Sequence, residues 1–273
     1  MQHESATPVE NAKPQRTLRA KVTLVIVVLI LVTAATVGFV GYEFAQRTLQ
    51  SQIEQRLRIV AADRHRMLMT YVEQQQERVG LVASRTLLRR YAQELQQPDL
   101  ENRQNVREDA ERILNDAKAS TSGFEEIALF DPAGNLLAAT SPDVKLAKLS
   151  DTPEFLRGKS VRHLGLPKME GDHHVALLMA PAHDSDDELT AVIAVVLDVT
   201  KLQQLLADPE GLGQTGEVRV GYIERNQVHL LFPTRSTGAK TLPVNVLPAM
   251  RKAVAGEQGF ASTTNEQEAI FAV

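Results

Sequence analysis

The sequence predicts an α+β chain: a transmembrane helix, a long N-terminal helix, and two tandem antiparallel-sheet modules of which the second is incomplete. Three observations predict it. An apolar stretch free of charge runs from Val22 to Val40, a run without proline continues to Gln97, and beyond Gly123 the apolar period falls from helical to that of short strands.

The first stretch reads VTLVIVVLILVTAATVGFV. A bilayer core asks for about 20 apolar residues in a helix, because each adds only ~1.5 Å of rise. A cleaved signal peptide has a shorter apolar region, about 7–15 residues, closed by small residues at the cleavage site. Here Ala34 and Ala35 lie inside the run and a tail precedes it, so the anchor is expected to stay. Lys13, Arg16, Arg19 and Lys21 stand before the span, whereas Glu43 and then Arg47 follow it. Lys and Arg are retained on the cytoplasmic side, so residues 1–21 form a cytoplasmic tail and the bulk lies outside the inner membrane. The second-longest apolar run, Thr190–Leu197, is far too short to span.

From Glu43 to Gln97 the only glycine is Gly80 and there is no proline, and apolar residues recur as Leu49, Ile53, Leu57, Val60, Met67 and Tyr71. That is a helical stripe, and a helix over 43–97 would be ~80 Å long. Its stripe suits a parallel homodimer next to the membrane, and packing on its own domain accounts for the distal half equally well. Pro98 is read as its stop, and a second helix follows over 99–119.

After Gly123 come Glu126–Asp131, a Pro132–Ala133–Gly134 turn and Asn135–Thr140, a hairpin stopped by Pro142. A short helix near Pro153–Arg157, strands His174–Ala180 and Leu189–Asp198, and a helix Thr200–Ala207 capped by Thr200 complete a module over 99–208. The pattern then recurs. Glu126, Ile127, Leu129, Asn135 and Pro142 fall on Glu217, Val218, Val220, Asn226 and Pro233, each 91 residues on. Residues 211–273 are therefore a second copy, with a helix at Val246–Ala255 and strands at Phe260–Thr264 and Ala269–Val273. By the same offset that copy wants about fifteen residues beyond Val273.

Composition removes several functions. With 30 basic and 34 acidic residues the net charge is −4, without the basic excess of a nucleic-acid binder. No cysteine is present, which excludes disulfides, thiolate metal sites and thiol catalysis. Aromatics make up 4% and tryptophan is absent, which argues against a stacking platform.

The segments IALFDPAGNLLAATSP (127–142), TPEFLRG (152–158), AVIAVVLDVTKLQQLL (191–206) and GLGQTGEVRVGYIERNQVHLLFP (211–233) resemble the double Cache sensor domains of bacterial receptors. The resemblance covers residues 43–273 and implies two tandem PAS-like modules, a small ligand in the membrane-distal one, and a second span leading to a transmitter. That transmitter would be a histidine kinase of a two-component system, a chemotaxis helix, or a GGDEF, cyclase or phosphatase domain. The amino-acid-binding branch uses an Arg-x-Trp-Tyr cluster and a late Asp. Arg162 and Asp198 stand near those places, but without tryptophan no amino-acid ligand is implied.

The ligand-binding candidates are thus Arg162, His163 and Asp198. His163 precedes a strand and is placed to face a pocket, while Asp198 either holds a cationic or hydroxylated ligand or caps the helix that follows. Gly211–Gly216 (GLGQTG) matches the dinucleotide fingerprint in letters only, since a helix precedes it and a strand follows. His163, His173, His174 and His183 lack zinc-site spacing, and 183–188 lacks the glycine and glutamate of a calcium loop, so neither metal nor cofactor is expected. No P-loop, HExxH or GxSxG occurs, and the chain is read as no enzyme. Two alternatives stay open: a stand-alone anchored binding module, and the sensor part of an enzyme whose catalytic domain lies beyond residue 273.

Overall fold

The computed structural model describes residues 18–97, 101–141, 149, 151–208, 210, 212, 217–233, 241–244, 248–255, 257, 259–262 and 267–270. The tail over 1–17, the stops at Pro98 and Pro142, most of the Gly211–Gly216 motif, and the tips of the two last strands lie outside the described residues.

Helix α1 (Leu18–Ala83) has 66 residues, and the chain divides into two compact units within it, 1–55 and 56–273. In the first unit the apolar side chains Val22 to Val40 are exposed, and the helix is long and apolar enough to cross a membrane. Its polar interruptions are self-satisfied. The Thr33 hydroxyl donates to the Leu29 carbonyl and the Thr36 hydroxyl to that of Val32, both at 2.8 Å. Such back-bonding lets a hydroxyl sit in an apolar medium without an unpaired donor.

In the second unit the expected single helix over 43–97 is interrupted. α1 stops at Ala83, Arg85 adopts an extended backbone (ψ 115°), and α2 (Thr86–Leu95) starts afresh. The break re-aims Leu88, Ala92 and Leu95 so that all three are buried. The next helix, α3 (Arg103–Ser120), buries Ala110, Leu114 and Ala117, a stripe of period 3.5.

A hairpin follows, β1 (Phe124–Phe130) and β2 (Leu136–Ala139). Its turn is built by Asp131, whose carboxylate accepts the Asn135 backbone N–H at 2.8 Å and its side-chain amide at 2.7 Å, with Gly134 at φ +91°. Then come α4 (Pro153–Gly158), β3 (His163–Leu164), β4 (Lys168–Glu170), β5 (His173–His183), β6 (Leu189–Asp198) and α5 (Thr200–Ala207). All six strands form one antiparallel sheet in the order β2-β1-β6-β5-β3, with β4 also on β5.

Period-2 alternation divides the sheet into two faces. Ile127, Leu129, Leu178, Ile193 and Val195 face α1, α2 and α3 in the main core. Ala128, Phe130, Met179, Val192 and Ala194 face the other way, into a second cluster closed by Phe155 of α4. Burying side chains of this size contributes ~1.5–3 kcal/mol each. Arginine and glutamine hold the helices to the sheet edges: Arg89 donates to the His183 carbonyl at 2.8 Å, Gln96 to that of Thr190 at 2.9 Å, and Arg107 to that of Leu137 at 2.9 Å.

The second sheet has three strands, β7 (Gly221–Glu224), β8 (Gln227–Leu230) and β9 (Thr241–Pro243). Its core is small: Val228, Leu230 and Val244. Helix α6 (Pro248–Val254) and the paired strands β10 (Gly259–Ser262) and β11 (Gln267–Ile270) follow. The recurrence at 91 residues holds for the second strand, β2 over 136–139 falling on β8 over 227–230, but not for the first, and β9 has no counterpart in the first copy. Where the first hairpin turns over 131–135, the second turns on Arg225 and Asn226 alone, both at positive φ (48° and 65°). Val218 and Val220, matched by sequence to residues within β1, lie ahead of β7 and pack on the main core.

Candidate ligand site

Among the described residues, the face of the six-stranded sheet under α4 is covered by that short helix and by Leu149. Thr152 starts that element: its hydroxyl accepts the Phe155 N–H at 3.2 Å, and Pro153 supplies the fixed φ of a first helical turn. Gly158 ends it, lying so close to the sheet that a Cβ there would come within 2.6 Å of the Met179 Cβ. Between the two, Phe155 drops its ring onto Phe130 edge-to-face, centroids 5.8 Å apart. The described floor is apolar throughout, and the polar groups stand at its rim.

His163 is one of them. It pairs with Met179 across β3 and β5, which puts its side chain on the α4 face. Burial, and then the nearby Arg157, pull its pKa below the ordinary histidine value, with Glu154 opposing. The imidazole is therefore held neutral, with one donor and one acceptor nitrogen.

Arg162 is not beside it. Adjacent residues of a strand point to opposite faces, and the Arg162 guanidinium lies on the helix side, against Gly80 of α1. A Cβ on Gly80 would meet its Cζ at 2.5 Å and its Nε at 2.6 Å. Asp198 is elsewhere again, pairing with Val175, four residues along β5 from Met179, or about 13 Å. Its carboxylate accepts the Thr200 N–H at 2.8 Å, so it serves as the cap expected of Thr200, and the residue at the N-cap position is Val199. Arg162, His163 and Asp198 thus do not converge. The sequence placed them in one region, but alternation and strand length separate them.

The other histidines are dispersed as well. His174 is buried edge-to-face against Phe232, centroids 5.3 Å apart, and the His183 carbonyl serves Arg89. His173 sits between carboxylates, its Nε2 2.8 Å from Glu125 Oε1 and its Nδ1 3.2 Å from Asp172 Oδ1. In the acidic loop before β6, the Asp184 carboxylate accepts the N–H groups of Asp186 (2.9 Å) and Glu188 (3.0 Å) and closes the turn on itself.

Two features escaped the sequence reading. Arg64 of α1 is 7% exposed and donates to the carbonyls of Leu205 (2.9 Å), Asp208 (3.3 Å) and Glu210 (3.3 Å), holding α1 to the C-terminal end of α5. The signal was there: the stripe Leu57, Val60, Met67, Tyr71 skips one inward position, and Arg64 fills it. A shallow cleft of about 440 Å³, including space open to solvent, lies between Leu206 and Ala207 of α5 and Val218, Val220 and Phe232. No local pattern marks it, because its walls come from α5 and from residues 217–233, which the fold brings together.

No protein-family model matches the chain, and no curated protein does. Solved structures do resemble it. The ligand-binding domain of the Campylobacter jejuni chemoreceptor Tlp3, in complex with 4-methylisoleucine, aligns at TM-score 0.50 and 13% identity, over 80% of this chain and 84% of that one. The fold is that of a chemoreceptor's ligand-binding domain. A domain of a sensory box/GGDEF family protein from Vibrio parahaemolyticus aligns at TM-score 0.47 and 14% identity, covering 78% of this chain and 88% of that chain. The ligand-binding domain of the Pseudomonas fluorescens chemoreceptor CtaA, in complex with L-alanine, aligns at 0.46 and 13%, covering 78% and 84%.

Proposed function

We propose that the chain is a membrane-anchored, extracytoplasmic sensor that binds a small molecule and passes the event along α1. The carrying observation is the chemoreceptor-type fold joined directly to a helix apolar enough to cross a membrane. The N-terminus is inside and the sheets are outside. It is a binding domain and not a catalytic one, and its signal goes to a transmitter such as a kinase, a chemotaxis helix or a GGDEF domain.

The ligand seats on the α4 face of the first sheet, with His163 on the rim, and its body is mostly apolar to match Phe130, Phe155 and Met179. Arg162 acts from the opposite face: a shift of β3 moves its guanidinium against α1 at Gly80. Displacements of ~1–2 Å suffice for such switches, provided the ligand prefers one state. The exposed Leu49 and Ile53 of α1 meet a second copy of the chain as a homodimer.

The test is thermal unfolding of the full chain in lipid nanodiscs against a panel of amino acids, carboxylates and small aliphatic and aromatic compounds. A true ligand at 100 times its Kd stabilises by about 2.7 kcal/mol, a clear rise in Tm. His163→Gln weakens the response, whereas Arg162→Ala leaves affinity intact. A panel in which every compound leaves Tm unchanged would count against sensing. The chain has no cysteine, so Leu81→Cys, at an exposed site, reports sidedness: labelling by an impermeant maleimide from the cytoplasmic side alone would overturn the orientation.

A further inference from the structure

We propose that His173 is a proton-operated latch: charged, it ties the start of β5 to β1 across the end of β6, so that acidity of the compartment is itself a stimulus for the domain.

The geometry rests on strand lengths. β6 lies between β1 and β5 and ends at Asp198, opposite Val175, while β5 begins at His173, two residues beyond that pair. On β1, Glu125 sits at a break in register opposite the last residues of β6, between Phe124, which pairs with Leu197, and Glu126, which pairs with Val196, so its side chain spans the end of β6 to reach His173. There Nε2 of His173, shielded from solvent, faces Glu125 Oε1 at 2.8 Å, and Nδ1 faces Asp172 Oδ1 at 3.2 Å. The Nε2 approach is short but off the ideal hydrogen-bond direction, so it acts as a charge pair, which needs only the distance.

A neutral imidazole has one N–H. With a carboxylate before each nitrogen, the neutral ring must turn a lone pair toward one of them, and only the imidazolium satisfies both. Charged groups come from every packed element. Asp172 precedes β5, Glu125 lies on β1, Asp198 ends β6, and Glu170 of β4 pairs directly with His173. On α1, Tyr71 feels the Asp198 carboxylate and Arg78, and Lys201 on the first turn of α5 is exposed.

The carboxylates, Asp172 first and then Glu125 and Asp198, raise the His173 pKa above the ordinary histidine value. The latch's stability is therefore full below the unfolded-state value near 6.5 and is lost as pH rises through the folded one. Asp172 is itself held low by His173 and stays charged throughout that window. His163 runs the other way: burial depresses it, so its contribution is lost on acidification. Acid thus tightens the start of β5 and loosens its middle, where His163 pairs with Met179. The tightened end adjoins Asp198 and the start of α5, a helix whose far end Arg64 joins to α1.

The latch goes beyond ligand sensing and holds with the seat empty or filled. The test uses the full chain in nanodiscs with ¹³C-labelled histidine, the His173 resonance being assigned with His173→Gln. His173 is expected to titrate above ordinary histidine, and Glu125→Gln to lower its midpoint. The Tm gap between the parent chain and His173→Gln is expected to widen between about pH 8 and pH 6, a difference from which His163 cancels. Titration at or below the ordinary value, a midpoint unmoved by Glu125→Gln, or a Tm gap equal at both pH values would each overturn the latch.

Discussion

The two faces of the six-stranded sheet carry the same kind of apolar side chain but are covered very differently. Three helices lie on one face, α1, α2 and α3, with arginine and glutamine tying them to strand ends. On the other, among the described residues, the short helix α4 rests on Met179 through Gly158 and on Phe130 through Phe155, with Leu149 beside it. Coverage, more than composition, decides which face can open. On the proposed reading, the heavily covered face holds the sheet to α1, α2 and α3, and the thinly covered one is where a ligand would enter at low cost.

The largest effects test that asymmetry directly. Leu114→Ala, in the main core, should cost about 2–5 kcal/mol and lower the unfolding midpoint of the whole domain. Phe155→Ala, nominally a ~3–5 kcal/mol change, should fall at or below the bottom of that range, because α4 can settle onto the space left. Amide exchange should then rise at residues 153–164 alone. A loss of protection spreading into α3 would mean that the two faces unfold as one.

Arg64→Met comes next. It leaves the carbonyls of Leu205, Asp208 and Glu210 without their charged donor, a loss of ~1.5–3 kcal/mol by urea unfolding. An unchanged midpoint would remove Arg64 from the account of how α5 is held to α1.

Smallest and most discriminating is a pair of glycines. Gly158→Ala drives a Cβ into the Met179 Cβ, which cannot swing away, and should cost ~1–3 kcal/mol. Gly80→Ala meets only the end of the Arg162 side chain, which can swing, and gains up to ~1 kcal/mol of helix propensity. Its net effect on stability should be near zero while its effect on signalling is large, since Arg162 is displaced from α1. Equal losses at both sites would show that the two contacts are alike.

Much of the fold was legible, because each element carried its own signal. Val22–Val40 was marked by length without charge, α4 by Thr152–Pro153, the first turn by Asp131 to Asn135, and β6 by its unbroken apolar run. The break at Ser84–Arg85 was not, since neither residue opposes helix and the benefit, burial of Leu88, Ala92 and Leu95, is tertiary. Register in the second hairpin was hidden for a similar reason: the two-residue turn at Arg225–Asn226 leaves β8 at the 91-residue offset from β2 but moves β7 later than the place where β1 would fall, without a gap visible in the pattern. The site was the least legible part. Arg162 and His163 are sequence neighbours, and only the pairing of β3 with β5 reveals that they serve opposite faces.

One measurement bears on the central claim most directly: hydrogen–deuterium exchange of the full chain in nanodiscs, with and without whichever compound of the panel raises Tm. The account predicts new protection at Pro153–Gly158 and His163–Leu164, on the thinly covered face, with α3 unchanged. Protection confined to α5 and residues 217–233, around the cleft by Phe232, would contradict it and move the ligand to the junction between the two sheets.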